Sequence, residues 1–286
     1  MLTPNEIQSK LRNVKTISTL PQVMTRVMAV VADDRSSAKD LAKEIRPDQA
    51  MTSKILKVSN SAYYGFYRKI ANIEDAVVVL GFKEIRSLCL AITVFGLFGE
   101  SRGTAADRRK LWRHCTITAV LAEMLAEPYP DEYPQAFTAG LLHDLGRAVL
   151  DQYFPEVWTA VCEKVNERRV HWLPVERELI GTDHAEIGFW LAEQWAFPPA
   201  LTECIRFHHE PMRAEVSPRL TALVHLANIL SRRDLDPTTP TEIAPPLDER
   251  VYQLVPLSKD RVEALFEKFR QRQEGVEVLL NTLAPA

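Results

Sequence analysis

The stretch AFTAGLLHDLGRAVL, residues 136–150, sets His143 and Asp144 side by side inside a largely apolar segment. Its spacing predicts buried helix, and buried titratable groups are costly unless something pairs with them. One reading is a hydrogen-bonded core histidine beside a carboxylate that marks a helix end, with Gly146 as the break. The other is a metal site. A metal needs more ligands, so the remainder of the chain decides.

The chain has 286 residues, 46% hydrophobic and 26% charged, enough for one large core or two smaller ones. Its longest apolar run, LCLAITVFGLF at 88–98, falls well short of the about 20 residues that a membrane crossing takes. The opening MLTPNEIQSKLRNVKT is polar and lacks the apolar core of a secretory signal, which predicts a cytoplasmic protein. Cys89, Cys115, Cys162 and Cys204 are far apart and form no CxxC pair, as expected of reduced thiols. A formal net charge of -3 gives no general electrostatic grip on nucleic acid or anionic lipid.

Nearly every periodic segment has the spacing of an amphipathic helix, and no run alternates as a strand would, so the predicted class is all-α. Pro21 precedes VMTRVMAVVA, and SSAKDLAKEI opens with a capping box, Ser37 and Asp40. The next helix carries Met51, Ile55, Leu56 and Val58 on one face and stops at Asn60. After the tyrosine-rich loop NSAYYGFYRK come two helices divided near Gly81. The small, polar tract ESRGTAAD, 100–107, is a candidate boundary. EPYPDEYP interrupts the helical pattern beyond it, and Pro198-Pro199 opens a helix ending at His208 and His209. PTTPTEIAPPLDE reads as an irregular connector, and SKDRVEALFEKFRQRQEGVEVLL as one long amphipathic helix. The expected divisions are 1–104, 105–233 and 234–286.

His114 lies in KLWRHCTITAVLAEMLA. His184 lies in GTDHAEIGFW, where Asp183 and Glu186 have capping-box spacing that puts the imidazole in a helix's first turn. His208 and His209 end their helix just before Pro211. Imidazole nitrogens and a carboxylate oxygen suit iron, manganese, nickel or zinc, and helices can deliver them into a bundle core. Helix caps and the helix dipole account for His184 and the His208-His209 pair nearly as well. No short self-sufficient signature such as HExxH is present.

WRHC, GLLHDLGR, DHAEIG and IRFHHE, in that order, resemble the HD phosphohydrolase superfamily, particularly the HD-GYP variant. Residues 20–88, from LPQVMTRV through NSAYYG to LGFKEIRSL, resemble the opening of an HDOD domain, the HD-related output domain of bacterial signalling proteins. The resemblance spans roughly residues 15–233. It implies a multi-helical HD-like bundle with an N-terminal helical subdomain, bacterial origin, and a regulatory role exercised through protein contacts.

The resemblance also implies ligand roles for His114, His143, Asp144, His184, His208 and His209 toward a divalent transition metal. In a binuclear arrangement Asp144 bridges, with His114 and His143 on one ion and His184, His208 and His209 on the other. Three departures qualify this. Asn228, the last candidate ligand, stands where the superfamily places an aspartate; an amide oxygen can coordinate a cation but brings it no negative charge. The GYP loop is absent, so cyclic di-GMP contacts are not implied. Arg147 replaces the lysine of HDxGK; it could steady a phosphate and could not act as a general acid near neutral pH.

The main expectation is a signalling protein with an HD-like metal pocket that acts through a protein partner or a nucleotide or phosphate ligand. The alternative is a metal-dependent phosphohydrolase with Asp144 and Arg147 in catalytic roles. Under the first, Tyr63, Tyr64, Phe66 and Tyr67 form a contact surface and the C-terminal helix transmits the output. A third class, helix-turn-helix DNA binding, is suggested by KDLAKEI followed by DQAMTSKILKVSN. Lys54, Lys57 and Arg68 are too few, and Met51, Ile55 and Val58 too well placed for packing, to favour it.

Overall fold

The structure, a computed structural model, describes residues 3–13, 21–33, 35–61, 64–97, 105–129, 135–232 and 244–283. Among these residues there is no strand. The helices run α1 (Pro4–Asn13), α2 (Gln22–Ala32), α3 (Ala38–Ile45), α4 (Gln49–Ser59), α5 (Ile73–Leu80), α6 (Phe82–Leu97), α7 (Ala105–Ala126) and α8 (Ala136–Leu142). They continue as α9 (Leu145–Tyr153), α10 (Pro155–Arg168), α11 (Trp172–Ile180), α12 (His184–Gln194), α13 (Pro199–Phe207), α14 (Pro218–Leu230), α15 (Lys259–Gln271) and α16 (Gln273–Leu283). The chain divides into two units, Met1–Thr19 with Glu100–Lys259, and Leu20–Gly99 with Asp260–Ala286.

In the second unit, local sequence sets the helix ends. The Ser37 hydroxyl accepts from the Asp40 N–H, and the Asp40 carboxylate accepts from the Ser37 N–H, so both partners of the expected box are engaged. Asp48 and Asn72 cap α4 and α5 through the N–H groups of Met51 and Asp75. Asn60 ends α4, and its amide also donates to the Ile70 carbonyl and accepts from the Ile70 N–H, each at 2.8 Å. That pairing holds together the two ends of the tyrosine-rich loop, of which Tyr63 lies outside the described residues. Gly81, at φ 88°, takes a conformation that L side chains disfavour and so separates α5 from α6. Met51, Ile55 and Val58 of α4 are buried, so that face is occupied by packing.

The C-terminal segment differs from the single helix its periodicity predicts. It breaks at Arg272, whose N–H bonds to the Phe269 carbonyl, three residues back instead of four. α15 buries Leu265 and Phe269; α16 buries Val276, Leu279 and Leu280 and packs on α4 and α6.

In the first unit, α7 packs along α8 and α14, and α12 packs against α9, α13 and α1. Two glycines permit these close approaches. A Cβ on Gly140 would lie 2.7 Å from the Ala119 Cα, and one on Gly146 would lie 1.9 Å from the His184 carbonyl oxygen. Gly146 therefore does not break a helix as its sequence context predicts: it lies inside α9, and the break falls on His143 and Asp144. Its absent side chain lets α9 and α12 touch, which brings Asp144 to His184.

Candidate metal centre

Four helix termini and the middle of α7 deliver the polar groups. His143 follows the end of α8, where helical carbonyls lack partners, and its Nδ1 bonds the Gly140 carbonyl at 2.7 Å. His208 does the same at the end of α13, with Nδ1 2.9 Å from the Ile205 carbonyl. His184 opens α12 behind the Asp183 cap, and its Nδ1 meets Glu176 Oε2 at 2.7 Å. A carbonyl or carboxylate can only accept, so Nδ1 carries the proton in all three rings and Nε2 is turned to the centre. In His114, Nδ1 lies 3.2 Å from the Ser231 hydroxyl, and Nε2 accepts from Arg232 at 3.2 Å.

These rings converge on Asp144, whose two oxygens face different groups. Oδ2 lies 3.5 Å from Nε2 of both His114 and His143, which are themselves 3.3 Å apart. Oδ1 lies 3.3 Å from His184 Nε2 and 3.6 Å from His208 Nε2; His209 Nε2 is 2.9 Å from His184 Nε2. The donors fall into two sets sharing one carboxylate: His114, His143 and Asp144, and Asp144, His184, His208 and His209. Six of the seven candidate ligands are thus brought together, Asn228 lying outside both sets. The side chains of His143 and His208 are fully buried, and that of His114 is 10% exposed.

Burial disfavours every charge here, and the neighbours decide which groups stay ionised. For Asp144, the surrounding imidazoles and the Arg147 guanidinium, 2.9 Å away, overcome burial and hold the carboxyl well below its usual range. Burial pushes His143 down to about 3. It also pushes His209 well down, reinforced by the adjoining imidazoles. His184 goes the other way: Glu176 and Asp144 outweigh burial and raise it to about 10.

The donors fit a transition metal. His208 Nε2 is buried and has no hydrogen-bond partner, and it lies 3.6 Å from Asp144 Oδ1. In both sets nitrogen and carboxylate donors crowd together, an arrangement that a cation relieves. Asn228 is wholly buried, and its Oδ1 accepts from Arg232 Nε at 3.4 Å, which links it to His114 through that guanidinium. Arg147 is 4% exposed, donates to Asp144 Oδ2, and stacks over Trp172, its guanidinium carbon 4.3 Å from the ring centroid. Trp172 in turn stacks on Trp158, their centroids 5.0 Å apart.

Several contributors escape a sequence reading. Glu176 shares the buried face of α11 with Trp172, Val175 and Ile180; a carboxylate at an apolar position of that periodic face was its one signal. His225 Nδ1 donates to the His208 carbonyl at 2.8 Å and so braces the backbone at His208. His171 caps α11, with its ring 5.0 Å from that of His209. Arg232 lies 118 positions from His114, and nothing local announces the pairing.

An all-helical unit that gathers histidines around a His-Asp turn defines an HD-type helical domain. Consistent with this, the HDOD domain family profile matches residues 17–211, and the chain belongs to that family. It is 29% identical over 232 residues to an uncharacterised protein of Treponema pallidum (strain Nichols), covering 80% of this chain and 44% of that one. The chain thus spans less than half the length of that relative. A candidate phosphohydrolase of Shewanella amazonensis SB2B has a similar structure, with a TM-score of 0.76, 26% identity, and coverage of 97% of this chain and 98% of that one. A candidate signal-transduction protein of Marinobacter aquaeolei VT8 shares the fold, with a TM-score of 0.77, 21% identity, and coverage of 92% of this chain and 59% of that one. Among the described residues no helix is long and apolar enough to cross a membrane.

Proposed function

We propose that this HDOD protein is a cytoplasmic regulatory module whose His/Asp pocket holds a divalent transition metal (iron, manganese, nickel or zinc) in a closed, structural or sensing role. Its output is the binding of a protein partner. The observation that carries this reading is the burial of a full donor set around Asp144. Closed metal sites stabilise folds, whereas catalytic ones keep a position open to substrate. His114, His143, Asp144, His184, His208 and His209 would hold the metal, which would supply positive charge and Lewis acidity. Asn228 and Arg232 border the His114 side. Glu176, Gly140 and Ile205 orient the rings through Nδ1, and Arg147, held by Trp172, orients Asp144.

For the partner, the surface around the tyrosine-rich loop is suited to contact. Phe66 is 42% exposed, Tyr67 is fully exposed, and Val78 and Val79 of α5 are exposed beside them. Metal analysis of protein purified without a chelating column, combined with melting before and after EDTA, tests the reading. Less than one ion per two chains, or no change in melting, would sink it.

A second reading is hydrolysis of a phosphomonoester or phosphodiester, including nucleotide substrates. It is favoured by the two donor sets sharing Asp144, the layout of a two-metal centre. Turnover of such substrates with manganese or iron, abolished by His143→Ala in a folded protein, would establish it.

A further inference from the structure

The two donor sets differ in what already satisfies them. On the Oδ2 side, His114 Nε2 accepts from Arg232 and Asp144 Oδ2 accepts from Arg147, so two guanidinium groups meet the acceptors. The nearby amide, Asn228, adds no negative charge and is itself engaged by Arg232. On the Oδ1 side, neither arginine nor lysine bonds to His184, His208 or His209 among the described residues. There His208 Nε2 and His209 Nδ1 are buried without hydrogen-bond partners, and Glu176 places a carboxylate behind His184.

A divalent ion is drawn to negative charge and unsatisfied lone pairs, and is repelled by a neighbouring guanidinium that burial leaves poorly screened. Building on the proposed metal-binding role, we infer that the halves of the pocket are unequal. One ion binds among Asp144 Oδ1, His184, His208 and His209, and the Arg232 guanidinium occupies the place of a second beside His114 and His143. Arg232 thereby sets the metal count of the site.

The test counts ions on the full chain. Protein stripped with EDTA is titrated separately with zinc and manganese, passed through gel filtration, and measured by mass spectrometry of the elements, with helicity and melting followed by circular dichroism. Wild type is expected to retain one ion per chain. His208→Gln and His209→Gln each weaken retention of that ion by about tenfold or more. Arg232→Met, which keeps the aliphatic stem and removes the charge, rises to two. Wild type retaining no ion would defeat the metal-binding reading itself. Two ions in wild type would leave that reading standing and overturn the inequality. Arg232→Met remaining at one ion would overturn the assignment to Arg232. Two separate substitutions on the Oδ1 side ensure that a folding failure in one leaves the other decisive.

Discussion

One carboxylate oxygen, Oε2 of Glu176, accepts both the main-chain N–H of His184 at 2.9 Å and its ring Nδ1–H at 2.7 Å. The contact fixes the first residue of α12 and the ring's rotation together, and so aims Nε2 at Asp144. Glu176→Gln preserves shape and removes the charge that sustains this geometry. The variant is expected to bind zinc about 10- to 100-fold more weakly while keeping its helicity, as measured by competition with a chromogenic chelator. Unchanged affinity would show that Glu176 serves α12 alone.

Gly146 offers a test through backbone packing. Gly146→Ala forces a methyl group against the His184 carbonyl, and α9 and α12 have to move apart. A loss of about 1–3 kcal/mol in urea unfolding is expected, accompanied by weaker metal retention. Stability equal to wild type would mean the two helices separate at no cost.

Glu203 on α13 anchors the turn that leads into α14. Its Oε1 accepts from the N–H groups of Glu215 and Val216 at 2.6 and 2.9 Å, and Oε2 from that of Ser217 at 2.5 Å. Glu203→Ala should cost about 2 kcal/mol. Hydrogen exchange should speed up at residues 215–217 before it does elsewhere; uniform acceleration would point to global loss instead.

The thiols should differ in reactivity. Burial raises Cys204 to about 12 and Cys89 further still, which suppresses the reactive thiolate, whereas Cys162 is partly exposed. At pH 8, native protein is expected to alkylate at Cys162 and to spare Cys89 and Cys204. Raising the pH to 9 should leave those two protected, because their thiolates stay scarce. Mass spectrometry of the peptides checks this; early labelling of Cys204 would contradict its burial.

The ion triad joining α10 and α11 gives a pH signature. Glu178 pairs with Lys164 at 2.6 Å and Arg168 at 2.5 Å, contacts that pull its carboxyl down to about 2 from 4.5. A depressed folded pKa means that the stabilisation is complete above about 4.5 and fades as pH falls toward 2. The difference in melting temperature between wild type and Glu178→Gln is expected to be small, because these groups are exposed, and to vanish at the acid end. A difference that grows as pH falls would reverse the assigned sign.

Helix boundaries were legible wherever a cap acts over three or four residues. Ser37, Asp183, Gly81 and Pro199 each perform the local role their neighbours predict. Gly146 misled because a glycine can end a helix or admit a neighbouring one, and only the neighbour distinguishes the two. The break at Arg272 was hidden for a related reason, since apolar spacing continues across it from Phe269 to Val276.

From the sequence alone came the all-helical class, the family resemblance and, through that resemblance, the candidate ligands His114, His143, Asp144, His184, His208, His209 and Asn228. Helical period and motif order are written along the chain and need no tertiary contact to be read. Tertiary packing decided how Asp144 divides its two oxygens, that Glu176 and Arg147 orient the pocket, and that Arg232 reaches His114. Hydrogen bonds and charge act over a few ångströms of space, and which groups come within that range is settled only when the helices pack.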